Sequence, residues 1–432
     1  MARRPADTAA MKRIAELISA SAIALALVAL AIDDTQAHKP ITSKYTYNRD
    51  VRPIFRDRCG RCHTAGGAAP MSLLSYKDAL PWAESIREEL IAERMPPWYV
   101  DAESALVRSS GSRPLTAHEI DTVFTWATGG APEGAPATQP EPDPAVGGWR
   151  MGAPDLVIRM DAEHTLPPAS SEEVREFRLS TGLRETRWVK AADLLPGTPS
   201  MVRDATIAVE NGAVLAEWVP GDEAVGAPAG TAFRLPAGAH LHLQIHYKKS
   251  WRDERIATSD RSAIGLYLVA AATPPSELQT MVIRPEASDV EPKEATRSAA
   301  TVGTTVTRTA TSAAADVETG GTIADAVTFA RDVAQPLTIV GIRPALDRAY
   351  DLVDVHVRLP AGGRVPLLQL HSPRPEWARR YWLAHTIDVP AGSRIEASAT
   401  PAPADASALS AAGNDTAATR APLQLRLDVV FR

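Results

Sequence analysis

The chain has 432 residues, a formal net charge of −6 and a pI near 6. Its basic residues form no stripe, so its charge does not favour nucleic acid as a partner. It also lacks a phosphate-binding glycine loop and a nucleophile elbow, the usual signatures of nucleotide-binding proteins and α/β hydrolases. About 395 residues remain after the N-terminal segment, which is more than one core normally holds, and they predict two or three domains.

The N-terminus has the pattern of a secretory signal. Lys12 and Arg13 precede an apolar stretch from Leu17 to Ile32, and the small-residue exit Thr35-Gln36-Ala37 follows. This order predicts a signal peptide over residues 1–37 and export to the periplasm. A membrane span needs about 20 apolar residues, more than this stretch supplies. We therefore expect no stable membrane insertion unless the signal stays uncleaved as an anchor, an alternative that the sequence leaves open.

Both cysteines of the chain lie in one motif, Cys59-Gly60-Arg61-Cys62-His63. This spacing is the attachment signature of a c-type haem. Two thiols three positions apart on a helical turn can add to the two vinyl groups of one porphyrin, and the adjacent imidazole can bind its iron. A Cys-x-x-Cys redox pair belongs near a βαβ pattern, and a zinc site would need further cysteines. The motif thus predicts one covalent haem c, attached at Cys59 and Cys62, with His63 as proximal ligand.

Helical patterns surround the motif over residues 44–135. The first helix is predicted to begin at Asp50 as N-cap, with Pro53 in its first turn. Apolar residues at helical spacing predict a second helix over about 76–94. A capping box at Thr116-Ala117-His118-Glu119 opens a third helix, which ends at Gly129-Gly130. These features predict a small all-α cytochrome c domain.

The sixth iron ligand has two methionine candidates, because thioether sulfur is the usual partner of histidine in cytochromes c. Met71 lies 8 residues after His63 and Met95 lies 32 residues after it. The shorter segment gives little reach to the opposite face of a porphyrin, whereas Pro96-Pro97 hold the backbone after Met95 rigid. We predict Met95 as the distal ligand. Met71 and the absence of a protein ligand remain alternatives.

After a Pro/Gly/Ala-rich linker, residues 136–155, the hydrophobic pattern changes from helical to alternating. Three similar turn elements recur, Leu235–Gly238, Leu359–Gly362 and Val389–Gly392. Proline in the second position and glycine in the fourth predict type I turns. Short strands joined by such turns indicate antiparallel sheets.

The predicted fold class is multidomain, with the all-α domain followed by an all-β antiparallel, jelly-roll-like module. Two sandwiches are the prediction for this module, and the pattern alone does not decide between them and one double unit. The sequence ranges are 156–273 for the first sandwich, 274–432 for the second, and about 294–324 for a disordered, Ala/Thr-rich insertion.

One predicted strand, residues 240–247, carries three histidines. Alternation places His240, His242, Gln244 and His246 on one face and apolar residues on the other. Imidazoles on one face could bind copper or zinc. A solvated polar face of an amphipathic strand explains the same pattern.

The two parts together resemble a bacterial family that fuses a c-type cytochrome domain to a module similar to the copper type II ascorbate-dependent monooxygenases, the peptidylglycine and dopamine hydroxylase group. In the haem part the resemblance rests on Tyr47–Phe55, Cys59–His63, Met95–Trp98 and Trp126–Gly134. In the β part it rests on Leu243–Tyr247, Ile264–Tyr267, Trp377–Tyr381 and Ile387–Gly392. The resemblance implies two β-sandwiches, and it supports Met95 because the family's Met-Pro-Pro-Trp loop is its axial-ligand loop.

The resemblance also implies two copper sites, one with three histidines and one with two histidines and a methionine. Only one of these six ligands has a counterpart here, His246. The segment Ser200–Ala205 stands in place of an adjacent histidine pair, Gly341–Asp347 contains no histidine, and no methionine follows Met281. Aliphatic or acidic side chains do not replace imidazole for a copper that changes oxidation state. We therefore predict that the copper chemistry is lost.

Three functions follow as hypotheses. The first is an exported c-type cytochrome for electron transfer with periplasmic redox proteins, whose copper-free β module is a docking or binding platform. The second is an active oxidoreductase in which His240, His242 and His246 bind one copper that the haem reduces. The third is a structural or sensor protein that contains haem. The sequence does not decide whether the protein is an enzyme.

Overall fold

In the computed structural model, the described residues are 42–97, 100, 106–108, 115–136, 148–222, 225–270, 274–285, 326–402 and 423–432. The predicted signal peptide, the predicted insertion at 294–324 and most of the predicted linker lie outside these ranges. None of the helices in the described ranges combines the length and apolar character that crossing a membrane requires.

Short helices fill the N-terminal part of the described chain, here called the helical segment (residues 42–136). The α-helices are α1 Arg52–Ile54, α2 Tyr76–Ala79, α3 Ala83–Ile91 and α4 Ala117–Thr128. Tyr47–Val51 and Phe55–Cys59 form π-helical turns on either side of α1, and 3₁₀ turns occupy Leu80–Trp82, Pro199–Met201 and Pro375–Trp377.

The capping box predicted at the third helix is confirmed. The Thr116 hydroxyl accepts from the Glu119 amide, the Glu119 carboxylate accepts from the Thr116 amide, and α4 ends at Gly129. The predicted start of the first helix is wrong by one turn. The helical run begins at Tyr47, because the Asp50 carboxylate reaches back 2.7 Å to the Thr46 amide from inside the first turn.

Nineteen strands follow in the described residues. They are β1 Leu156–Arg159, β2 His164–Leu166, β3 Glu172–Ser180, β4 Arg187–Leu195, β5 Val202–Val209, β6 Val214–Trp218, β7 Thr231–Leu235, β8 His240–Lys248, β9 Thr258–Asp260, β10 Ala263–Leu268, β11 Ser276–Glu277, β12 Gln279–Ile283, β13 Val327–Asp332, β14 Leu337–Ala345, β15 Tyr350–Arg358, β16 Arg364–His371, β17 Tyr381–Val389, β18 Arg394–Pro401 and β19 Gln424–Phe431.

The strands form five sheets with orders β1-β10-β4-β7-β11, β3-β8-β5-β6, β2-β9, β12-β19-β14-β17 and β13-β18-β15-β16. Pairing is antiparallel except between β7 and β11. A first β core packs the inward residues of β1 to β10, and a second packs those of β12 to β19. Val340 and Trp382, from β14 and β17, pack into the first β core, so the two groups of sheets share apolar contacts.

The predicted fold class is wrong. Of the described residues 42% are in strands, arranged in several small antiparallel sheets, and these residues contain no substantial all-α domain. The longest described helix, α4, has 12 residues, and helical hydrogen bonding is interrupted around Pro53 and Pro81, which have no N–H to donate. Helical periodicity reports the local backbone and does not report the long-range strand pairing that makes most of the fold. The helical segment buries a small cluster around Trp126 and lies against the sheets.

The predicted strand with three histidines is confirmed as β8, and its faces alternate as expected. Leu241, Leu243, Ile245 and Tyr247 are fully buried, and the histidines lie on the opposite face.

The three predicted turns differ in where proline and glycine stand. Proline is second and glycine fourth, as predicted, in only one of them. In that turn the Gly362 amide donates to the Leu359 carbonyl, which makes Pro360 the second residue and Gly362 the fourth. In the other two turns, proline is the first residue (Pro236, Pro390) and glycine is the third (Gly238, Gly392). Both glycines have a positive φ, which a type II turn requires at its third residue.

Candidate functional site

A cavity of about 820 Å³ lies between the helical segment and the β sheets. This volume falls within the roughly 300–1,000 Å³ of pockets that hold ligands of drug or cofactor size. Its apolar wall includes Ile54, Phe55, Leu73, Ile86, Leu90 and Val123. All four residues predicted to attach or bind a haem, and the alternative ligand Met71, also line it. The structure therefore brings the predicted haem residues to one largely apolar cavity.

Cys59, Cys62 and His63 share one helical turn. The amides of Cys62 and His63 both donate to the Cys59 carbonyl, at 3.1 and 2.9 Å. Both cysteines are free thiols, and burial raises the pKa of Cys59 to about 12 and that of Cys62 to about 11. A redox-active pair needs a lowered thiol pKa. A raised thiol pKa is not what marks a redox-active pair, and thioether formation would leave no charge to bury.

The imidazole of His63 is held from its Nδ1 side. Nδ1 lies 3.3 Å from the carbonyl oxygen of Met71, and this oxygen can only accept, so Nδ1 carries the proton. Burial lowers the pKa of His63 and favours the neutral ring. A neutral imidazole whose Nδ1–H is bound to a carbonyl presents the lone pair of Nε2 to a metal. The same arrangement holds histidine ligands in many metalloproteins.

Both methionine candidates line the cavity, but their backbones are placed differently. Met71 is tied to the His63 side, through the bond to Nδ1 and through the neighbouring Leu73 amide, which donates to the His63 carbonyl at 3.0 Å. Met95 follows the end of α3 on a separate loop and is 36% exposed.

Two contacts hold the Met95 loop. Arg94 forms a bidentate ion pair with Glu89, with N–O distances of 2.6 and 2.8 Å, which fixes the chain immediately before Met95. After it, the Pro97 carbonyl accepts from Arg379 of the β part at 3.1 Å. Trp98, which ends the Met-Pro-Pro-Trp motif of this loop, lies outside the described residues.

The β part supplies a charged wall to the same cavity, from β3, β5 and β8. Lys248 pairs with Glu172 at 3.1 Å, Glu172 lies 2.7 Å from His246 Nε2, and His246 Nδ1 lies 2.8 Å from Asp204. Burial opposes the charged imidazole, but hydrogen bonds and charge from Asp204 and then Glu172 raise the pKa of His246 overall. Burial likewise opposes the charged Glu172, but bonds from His246 and Lys248 lower its pKa.

The three histidines of β8 do not converge. His240 faces Glu210 at 3.9 Å and His242 faces Glu176 at 3.7 Å, and of the three only His246 lines the cavity. Over the part of the chain that the structure describes, no group of three or more His, Cys, Asp or Glu side chains is placed to hold a metal ion. The prediction that copper is absent stays a prediction.

The two segments in which copper ligands are predicted to be lost have other contacts in the structure. Ser200–Ala205 supplies Asp204 to His246 and Arg203 to the cavity wall. In Gly341–Asp347 the Arg343 guanidinium is fully buried, 3.2 Å from Glu217 and 3.6 Å from Asp428. Sequence reasoning missed the wall residues Glu172, Arg203 and Lys248, because they come from separate strands and have no motif of their own.

No family model and no curated protein matches this chain. Solved structures give weak similarities. A Paenibacillus xanthan lyase has 16% identity and a TM-score of 0.16 over 69% of this chain and 28% of the lyase, so the chain spans little more than a quarter of that protein. Procruciferin, an 11S globulin of Brassica napus, has 11% identity and a TM-score of 0.13 over 64% of this chain and 84% of its own. Bacillus subtilis oxalate decarboxylase has 11% identity and a TM-score of 0.12, over 69% and 85%. Such low scores carry no argument about fold or function.

Proposed function

We propose that this protein is an exported c-type haem protein that transfers electrons, with its β part as a docking or binding platform for periplasmic redox partners. The observation that carries the proposal is that Cys59, Cys62 and His63 share one turn at the edge of a cavity of about 820 Å³. The cavity is lined largely by apolar side chains, which suits a porphyrin.

The attachment chemistry needs no oxidant. Cys59 and Cys62 would hold the haem, each thiol adding across one vinyl group so that a carbon–sulfur bond would form and the thiol hydrogen would pass to the neighbouring carbon. Both thioethers are neutral, which suits a site whose burial disfavours thiolates. His63 would bind the iron through Nε2 while its Nδ1–H stays on the Met71 carbonyl.

We propose that Met95, together with His63, would hold the haem iron. The Met95 loop approaches independently of the His63 turn and is fixed through Arg94 and Pro97. A His/Met pair raises the reduction potential of the haem, and this is the chemistry that the bound group supplies to electron transfer.

The copper-dependent oxidoreductase and the structural or sensor role stay as alternatives. In the described structure both ring nitrogens of His246 face carboxylates, and His240 and His242 point to other partners. These contacts support the electron-transfer proposal over a one-copper site built from the three histidines.

The test is the metal and haem content of the protein exported by a host with a c-type maturation system. We expect one iron per chain, haem that stays with the polypeptide in acidic acetone, and no stoichiometric copper. The Cys59→Ala, Cys62→Ala double variant should lose covalent haem. Substitution of His385, which is exposed on β17, by alanine is the matched histidine control for His63→Ala. Haem that remains covalent without both cysteines would contradict the proposal, and two tightly bound copper ions per chain would restore the monooxygenase.

A further inference from the structure

Strand β5 contains a β-bulge at the cavity wall. In its pairing with β8, Val202 is opposite Tyr247 and Asp204 is opposite His246, so Arg203 is an extra residue in the register. Val202 and Ala205 are buried on the core side. The two residues between them, Arg203 and Asp204, are therefore both left to the His246 side. A bulge changes the direction of a side chain in this way, and bulges are common beside active sites.

Arg203 lines the cavity and has one described hydrogen bond, from Nη1 to the Ala68 carbonyl at 2.7 Å. In the part of the chain that the structure describes, no carboxylate lies within ion-pair distance of it. Two other cations of the cavity wall, Arg58 and Lys248, have acidic partners. Arg58 pairs with Glu119 at 2.9 Å, and Lys248 pairs with Glu172 at 3.1 Å.

The desolvation of this guanidinium is offset only in part by the attraction of Glu172, because no carboxylate of the described residues lies within ion-pair distance. Its planar fork of N–H donors fits a carboxylate in particular. The bond to Ala68 uses one donor, so the remaining donors can bind an anion inside the cavity. Haem has two propionate groups, and these are its anionic substituents.

We propose that Arg203 binds a propionate of the haem, so that the β part completes the cofactor site begun by the helical segment. The inference rests on the proposed haem function and adds a positioning residue to it. It also gives the bulge a role, since a regular register would direct Arg203 away from the side on which Asp204 and His246 lie.

The test uses the exported full-length protein with Arg203→Gln and Arg203→Lys. Arg178→Gln is the matched control, since Arg178 lies on β3 of the same sheet, pairs with Glu210 at 2.6 Å and does not line the cavity. Two properties are measured, the propionate bending band in the resonance Raman spectrum and the reduction potential. Arg203→Gln should shift the band and move the potential to more negative values, because a positive charge near the iron favours the reduced state. Arg203→Lys should keep most of the potential but still shift the band, because a lysine has no planar fork.

Unchanged band and potential in Arg203→Gln, at full haem content, would overturn the inference. A structural role is tested separately, with the same variant made without export and therefore without haem. Its urea midpoint should equal or exceed that of the equally prepared parent, and a loss larger than that of Arg178→Gln would also overturn the inference. Covalent haem content of the parent protein decides the proposed function, so its failure is distinguishable from the failure of the role assigned to Arg203.

Discussion

The Nδ1 atom of His63 lies 3.3 Å from the carbonyl oxygen of Met71. This contact fixes the imidazole tautomer and leaves Nε2 for a metal. It also fixes the backbone of Met71 beside the ring that it orients. In the proposed haem site a second iron ligand would have to approach from the other side, so the contact that supports His63 as a ligand weighs against Met71.

We therefore predict that Met95→Ala removes the weak sulfur-to-iron charge-transfer band of the oxidised protein and lowers the reduction potential, since a thioether ligand raises it. Met71→Ala should retain the band, because it keeps the backbone carbonyl that holds His63. Absorption spectra and redox titrations of the two variants, at equal haem content, check this. Loss of the band in Met71→Ala alone would reverse the assignment.

The pair of carboxylates around His246 predicts a pH-dependent contribution to stability. The pKa of His246 is raised, so its contribution is fully present below the unfolded value of about 6.5 and is lost as pH rises through the folded pKa. The pKa of Glu172 is lowered, so its contribution is present above its ordinary value and is lost only as pH falls through the lower folded pKa.

At pH 6, His246→Gln should reduce the free energy of unfolding by about 1.5–3 kcal/mol, the usual range for hydrogen bonds to charged groups. The difference should shrink as pH rises beyond the folded pKa of His246. Urea unfolding at pH 6 and pH 9 measures both effects. His385→Gln, at an exposed position of β17, should have little effect at either pH. A loss that is equal at both pH values would show that the charged form of His246 is not the stabilising one.

Copper binding can be predicted from the same contacts. Both ring nitrogens of His246 are engaged, so a metal must displace Asp204 or Glu172 to bind there. Any Cu²⁺ site of the strand should then be weak and built on His240 and His242. Calorimetric titration of Cu²⁺ should detect binding that a His240→Ala, His242→Ala double variant loses and His246→Gln keeps. Tight binding that depends on His246 would contradict this and favour the oxidoreductase.

Local features of the fold were predictable from the sequence because their causes are local. The capping box at Thr116 and Glu119 needs two side chains three residues apart, and it forms as expected. The two faces of β8 follow from alternation, which leaves Tyr247 buried and His246 on the polar face. The cysteine motif likewise needs one helical turn, which the structure supplies at Cys59.

The cavity wall and the fold class depend on long-range pairing, which the sequence pattern does not contain. Arg203 faces the cavity because β5 slips by one residue against β8, and strict alternation places Arg203 and Asp204 on opposite faces. The periodicity of each helix predicts the helical segment as a separate all-α domain, because periodicity depends only on the local backbone. The cavity that the helices border is closed by strands that are distant in the sequence, as the contact of Arg203 with Ala68 shows, with a separation of 135 residues.

A buried arginine joins the two β cores and provides the last prediction. Arg380 bonds to Asp428 at 2.8 Å, and the Asp428 side chain is fully buried. The guanidinium lies 4.9 Å from the ring centres of both Phe233 and Trp382, and it donates to the Leu215 carbonyl on β6. Burial lowers the pKa of Arg380 to about 10, so it stays charged at neutral pH.

Among the described residues, removal of this guanidinium leaves the buried Asp428 carboxylate with only the longer 3.6 Å ion-pair contact to Arg343. Breaking a buried pair on one side typically costs about 3–5 kcal/mol. Arg380→Ala should therefore lower the free energy of unfolding by about that amount in urea. Arg394→Ala is the matched control, because Arg394 pairs with Asp332 at 2.9 Å on the surface and such pairs contribute at most about 1 kcal/mol. Equal effects of the two variants would show that Asp428 is compensated without Arg380, and the two β cores would then be held together mainly by apolar contacts such as those of Trp382.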